Sequence, residues 1–145
     1  MKKYLLWFGL AWALSTVLAF AMLIAALAGW MFSETPLWFD LLYLIVTAFP
    51  YLFIGEVAGR RAQPMENPQR GMLLLLGVMT AVALMGGLAD NNLRLISVPG
   101  WILGSLLARL LPLSGYWEGA LILFGHLLLP LLYHLGWHWG KIERC

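Results

Sequence analysis

Five apolar stretches, separated by short polar breaks, run the length of this chain. A helix that crosses the hydrocarbon core of a bilayer takes ~20 mostly apolar residues. Residues 4–32, 37–59, 71–89 and 116–140 reach about that length, so each predicts a transmembrane helix. The remaining stretch, 99–113, is shorter and patterned differently. On a helical wheel Trp101, Gly104, Ser105, Ala108, Arg109 and Pro112 share one side. Ile102, Leu103, Leu106, Leu107, Leu110 and Leu111 share the other. That two-faced pattern predicts an interfacial or re-entrant helix lying along the membrane. The competing reading is a true crossing that starts near Leu93. The expected fold is all-α: one bundle of four transmembrane helices plus one short interfacial or re-entrant helix.

The breaks carry their own signals. Ser33-Glu34-Thr35-Pro36 reads as a tight turn, with Thr35 as N-cap and Pro36 in the first helical position. Asp40 follows in the first turns, where the positive end of the helix dipole favours an anion. Residues 60–70 form the strongly polar loop, with Arg60, Arg61 and Arg70 and two prolines. Asp90-Asn91-Asn92 ends the third stretch, and Ser114-Gly115 precedes the last one. Pro50 and Pro130 fall inside helices, and each should kink its helix and free the carbonyl four residues earlier. Glu56 with Arg60, and Asp90 with Arg94, are spaced for pairing along a helix face.

Small residues recur every four positions. Ala21, Ala25 and Gly29 form one stripe, and Ser15 with Ala19 forms another. Gly55 and Gly59, Gly100 and Gly104, Gly115 and Gly119, and Gly136 and Gly140 repeat the same spacing. Such stripes let helix backbones approach closely in lipid.

Composition removes whole classes of function. Of the 145 residues 62% are hydrophobic and 11% charged, too few polar groups to clothe a soluble globule. A nucleic-acid binder is excluded on the same ground, since it needs a basic face. Cys145 is the sole cysteine, which excludes an internal disulfide and an iron–sulfur cluster. Met1-Lys2-Lys3 before an apolar run, with Ala19-Phe20-Ala21 behind it, resembles a secretory signal with its cleavage site. The apolar run continues to Phe32, however, which favours an uncleaved first transmembrane helix.

Charge sets the expected orientation, because Lys and Arg concentrate on the cytoplasmic side. Four crossings place Lys2, Lys3, Arg60, Arg61, Arg70, Lys141 and Arg144 on one side, against Arg94 and Arg109 on the other. Both termini are therefore expected in the cytoplasm, and the short loops suggest a bacterial inner (plasma) membrane. Tryptophan favours the two interfaces and gives a check. Trp30, Trp38, Trp101 and Trp117 fall at the outer boundary, and Trp7, Trp137 and Trp139 at the inner one. Tyr133, His134 and His138 join that inner belt.

Ionisable groups inside a membrane are functional suspects. His126 lies near the middle of the last crossing, four residues before Pro130, and is the candidate ligand-binding or proton-handling residue. Its ordinary alternative is a neutral ring hydrogen-bonded within the bundle. His134 and His138 face the same way one turn apart, a spacing that can hold one metal ion. Glu56 falls at the same depth and would complete a two-histidine, one-carboxylate metal site. All three histidines lie on one helix, and His126 and His134 are ~12 Å apart along its axis, so an intrachain bis-histidine haem is disfavoured. Asp40 and Glu118 sit near helix starts, and Arg109 suits a lipid phosphate. No hydrolase, nucleotide-binding or dinucleotide motif is present.

The leading expectation is a non-enzymatic membrane subunit or assembly partner. It would touch lipids and associate through helix packing with other membrane subunits or a second copy. One alternative is a small transporter or channel with a pathway near Pro50, Pro130 and His126. The other is a membrane redox or metal-dependent enzyme using His126, or Glu56 with His134 and His138.

Overall fold

A computed structural model of the chain describes residues 1–30, 36–62, 68–88, 98–111 and 116–142. The turn at Ser33-Glu34-Thr35, the pair Asp90 and Arg94, Ser114-Gly115 and the tail ending at Cys145 lie outside the described residues. So do the side chains of Trp30, Trp101, Arg109, Trp117 and Glu118.

Five helices and no strand occur among the described residues: α1 (Lys2–Trp30), α2 (Leu37–Arg60), α3 (Gln69–Leu88), α4 (Val98–Leu110) and α5 (Tyr116–Ile142). Three segments are long and apolar enough to cross a membrane: Lys2–Gly29, Leu37–Arg60 and Ala120–Ile142. Gln69–Met85 of α3 is apolar but shorter. Leu6, Val17, Ile24, Phe49, Leu73 and Leu135 all stand exposed on the helix flanks, a surface suited to hydrocarbon. Pro36 occupies the N-cap of α2 with extended backbone, one position before the expected one. Its carbonyl accepts the amides of Phe39 and Asp40, so the helix closes without a side-chain cap. Both α2 and α5 continue through their prolines.

Helix α1 is apolar on every side, so hydrophobicity cannot select the face it buries. Size and hydrogen bonding select it instead. Tyr4, Phe8, Ala11, Ser15 and Ala19, spaced at three or four residues, form the inward stripe. The small residues bring α2 close, and hydroxyls fasten the seam. Ser15 Oγ donates to the carbonyl of Thr47 at 2.8 Å, and Tyr43 Oη donates to that of Ala19 at 2.7 Å. The pairings 15 with 47 and 19 with 43 run in opposite senses, so α1 and α2 are antiparallel.

The tightest seam joins α2 to α5, and glycine makes it. Gly55 faces the backbone of Tyr133, and Gly59 that of Trp137. Gly136 faces the carbonyl of Leu52, and Gly140 that of Glu56. A Cβ at any of the four would fall well inside van der Waals contact with a backbone oxygen of the facing helix. The two stripes interlock in parallel register, as the small-xxx-small spacing requires. This closeness buries Tyr133 and Trp137 of the inner belt fully, because they flank the glycines on which α2 rests. Trp139 is exposed.

Helix α4 packs lengthwise on α5. Gly100 lies on the ring of His126, and Gly104 on the backbone of Leu121 and Ile122. A Cβ on Gly125 would stand 2.6 Å from the amide nitrogen of Gly104. The sequence wheel put Gly104 on the polar face. It is instead the close-approach point, with Leu103 and Leu106 buried beside it. As the α4 number rises the α5 number falls, so the two helices are antiparallel. Helix α3 leans on α5 through Leu75 and Met79 and barely touches α1.

Candidate functional site

Weak contact between α1 and α3 leaves a cleft of about 280 Å³. Phe8, Gly9 and Trp12 of α1 form one wall, and Leu75, Met79 and Val82 of α3 form the other. Gly100 of α4 and His126 and Leu129 of α5 close the back. Gly9 and Val78 are exposed, so the mouth opens on the flank of the bundle rather than at an end. Gly100 is needed here: a Cβ would stand 2.6 Å from the imidazole carbons of His126. His126 is 2% exposed. Its Nδ1 stands 2.8 Å from the carbonyl of Ile122, one turn earlier. A carbonyl only accepts, so Nδ1 carries the proton and a neutral ring keeps Nε2 as an acceptor. Pro50 and Pro130 are buried in the packed interior.

A second constellation occupies the end of the bundle where α1 and α3 begin and α2 and α5 finish. Tyr4 is buried there, its ring edge-on to Tyr133 and Trp137 with centroids 4.9 and 5.0 Å away. Gly71 at the start of α3 abuts the same ring. Tyr133 Oη donates to the carbonyl of Tyr4 at 3.0 Å. Tyr4 Oη lies 3.0 Å from His134 Nδ1, and His134 Nε2 lies 3.1 Å from His138 Nε2. The three side chains form one hydrogen-bonded file from the buried phenol to exposed His138. Two proton arrangements satisfy it. Either Tyr4 Oη donates to His134 and the Nε2–H of His134 donates to His138, or every donor reverses.

Glu56 does not join the histidine pair. Its carboxylate meets Arg60 at 2.6 Å, and it lines a shallow cleft with Phe49, Phe53, Gly136 and Trp139. On α5, positions 136 and 140 face away from 134 and 138, at ~100° per residue. The glycine seam holds Glu56 on that other side. Among the described residues no three His, Cys, Asp or Glu side chains gather around one point. Of the expected trio, the structure brings His134 and His138 together, with Tyr4 beside them, and holds Glu56 against Arg60. Sequence reading missed Tyr4, because a tyrosine in the first turn of a membrane helix looks like any interfacial anchor.

Arg61 places its guanidinium 5.5 Å from the centre of the Trp7 ring at this same end. Lys2, Lys3, Arg60, Arg70 and Lys141 lie on the helix ends that meet here. No known protein family, curated protein or solved structure matches this chain.

Proposed function

We propose that this chain is a small integral membrane protein that works as a non-enzymatic subunit, assembling through helix packing in a bacterial inner membrane. The observation that carries this reading is the outward stripe of α1. Ala21, Ala25 and Gly29 are exposed, and nothing lies within 4 Å of the place a Gly29 Cβ would take. The glycine pairs Gly55 with Gly59, Gly100 with Gly104, and Gly136 with Gly140 are used inside the molecule to seat a neighbouring helix. In lipid, where apolar surface alone gives no drive to associate, such a stripe is what lets a further helix dock. The partner is another membrane subunit or a second copy.

The proposed topology has four crossings, α1, α2, α3 and α5, with both termini cytoplasmic. Antiparallel packing of α4 on α5, with Gly100 at the depth of His126, supports a re-entrant α4 over one lying flat. The basic residues gathered at one end support that end as the cytoplasmic one.

Purification in mild detergent followed by mass measurement tests the assembly reading. The wild type is expected as a stoichiometric complex that Ala25→Leu with Gly29→Leu dissociates, while exposed Ile24→Leu leaves it whole. A wild type that is a stable lone monomer overturns it.

The cleft at His126 supports a second reading, a site for a membrane-soluble apolar ligand such as a quinone, reached sideways from the bilayer. Gly9 lines the cleft and has open space where its Cβ would be, so Gly9→Leu puts a branched side chain at the mouth. Extraction and mass spectrometry of bound lipids should find a co-purifying molecule in the wild type and at least tenfold less in Gly9→Leu at equal protein abundance. Equal recovery from both sinks this reading.

A further inference from the structure

We propose that His134 and His138 bind one divalent transition-metal ion at the cytoplasmic end of the bundle, with Tyr4 orienting the site. The pair sits one helical turn apart on α5, with ring planes at 80° and centroids 4.6 Å apart. Their Nε2 atoms are 3.1 Å apart. Two imidazole nitrogens bound to one tetrahedral ion at ~2.05 Å stand about 3.3 Å from each other. The pair is thus already set to the bite of a single ion, and small ring rotations complete it.

Tyr4 supplies what such a pair usually lacks. A metal-bound histidine typically has its other ring nitrogen held by a hydrogen bond, which fixes its tautomer and plane. Tyr4 Oη does this for His134 Nδ1 at 3.0 Å. It is itself immobilised, being buried against Tyr133, Trp137 and Gly71. Binding requires a lone pair on both Nε2 atoms. The proton that bridges them in the metal-free pair moves to Nδ1, and no net proton is lost. His134 then donates from Nδ1 to Tyr4 Oη, one of the two arrangements that satisfy the file without metal. His138 is exposed, so the ion enters from solvent and keeps positions for water or an outside donor.

Ligand chemistry selects the ion. Imidazole suits Zn²⁺, Ni²⁺ and Cu²⁺, whereas Mg²⁺ and Ca²⁺ require oxygen. The site does not depend on the assembly reading, since all three residues belong to one chain.

The test uses the full chain in detergent, with no polyhistidine tag and with Cys145→Ser removing the one thiol. Zn²⁺ titration should give one ion per chain, undisturbed by excess Mg²⁺. His138→Ala changes an exposed side chain and should lower the affinity at least tenfold. Tyr4→Phe should lower it ~10–100-fold while both nitrogen ligands remain. With Cu²⁺, the paramagnetic resonance spectrum should show two equivalent nitrogens in the parent and one in His138→Ala. Zn²⁺ affinity equal in parent and His138→Ala, or no ion bound by the parent, overturns the proposal.

Discussion

A hydroxyl inside an apolar bundle is costly without an acceptor, and four hydroxyls here take backbone carbonyls. Ser15 takes that of Thr47, Thr47 that of Tyr43, Tyr43 that of Ala19, and Tyr133 that of Tyr4. Three of these four bonds tie α1 to another helix. Within a membrane such a bond contributes ~0.6 kcal/mol and at most ~1.7. Tyr133→Phe keeps the ring packing and removes one tie, so it should destabilise by about 1 kcal/mol, read as a modest fall in the detergent melting temperature. Tyr133→Ala should cost several times more, because it also empties the aromatic cluster around Tyr4. At this scale the sequence was only partly legible. The polar residues were identifiable, but whether each reached its own helix or a neighbour was not. His126 shows the limit: its mid-helix position was plain, whereas its place at the back of a flank-facing cleft depends on α3 standing away from α1.

At the scale of elements, glycine separates the two kinds of helix surface. Gly55, Gly59, Gly136 and Gly140 lie where backbones touch, whereas Gly77 on α3 faces open space. The same substitution should therefore have opposite effects. Gly59→Ala pushes a methyl into the carbonyl of Trp137, and neither helix can yield without opening the whole seam. A loss of ~1–3 kcal/mol is expected, as for other overpacked interiors. Gly77→Ala meets nothing and removes a flexible residue from a helix interior, so a gain of ~0.5–1 kcal/mol is expected. Thermal or denaturant unfolding in detergent compares the two. The glycine spacings were visible in the sequence. Which stripe met which was not, because α1 to α5 offer several of equal quality.

At the scale of the molecule, the helix ends sort the charges. The starts of α1 and α3 meet the ends of α2 and α5, and the described basic residues outside α4 collect there. With α4 re-entrant, both termini share one side of the membrane. Reporter fusions after Met1 and after Cys145 should both report the cytoplasm. A C-terminal fusion on the opposite side would contradict the parallel packing of α2 with α5 and overturn the assignment.

The helical class is legible in the residues alone. Apolar runs of membrane length, separated by turn residues and capped by few charges, have no other stable arrangement than packed helices, because backbone groups in lipid must be satisfied within the helix. The residues also set the order of the helices and mark the glycine spacings. Which faces meet is settled by packing. Face choice in α1 turns on side-chain size, which a uniformly apolar helix does not display as a pattern. The seam of α2 with α5 sent Glu56 to one side and the histidines to the other. Tyr4, 130 residues from His134, entered the site because two helices of opposite sense brought their ends together.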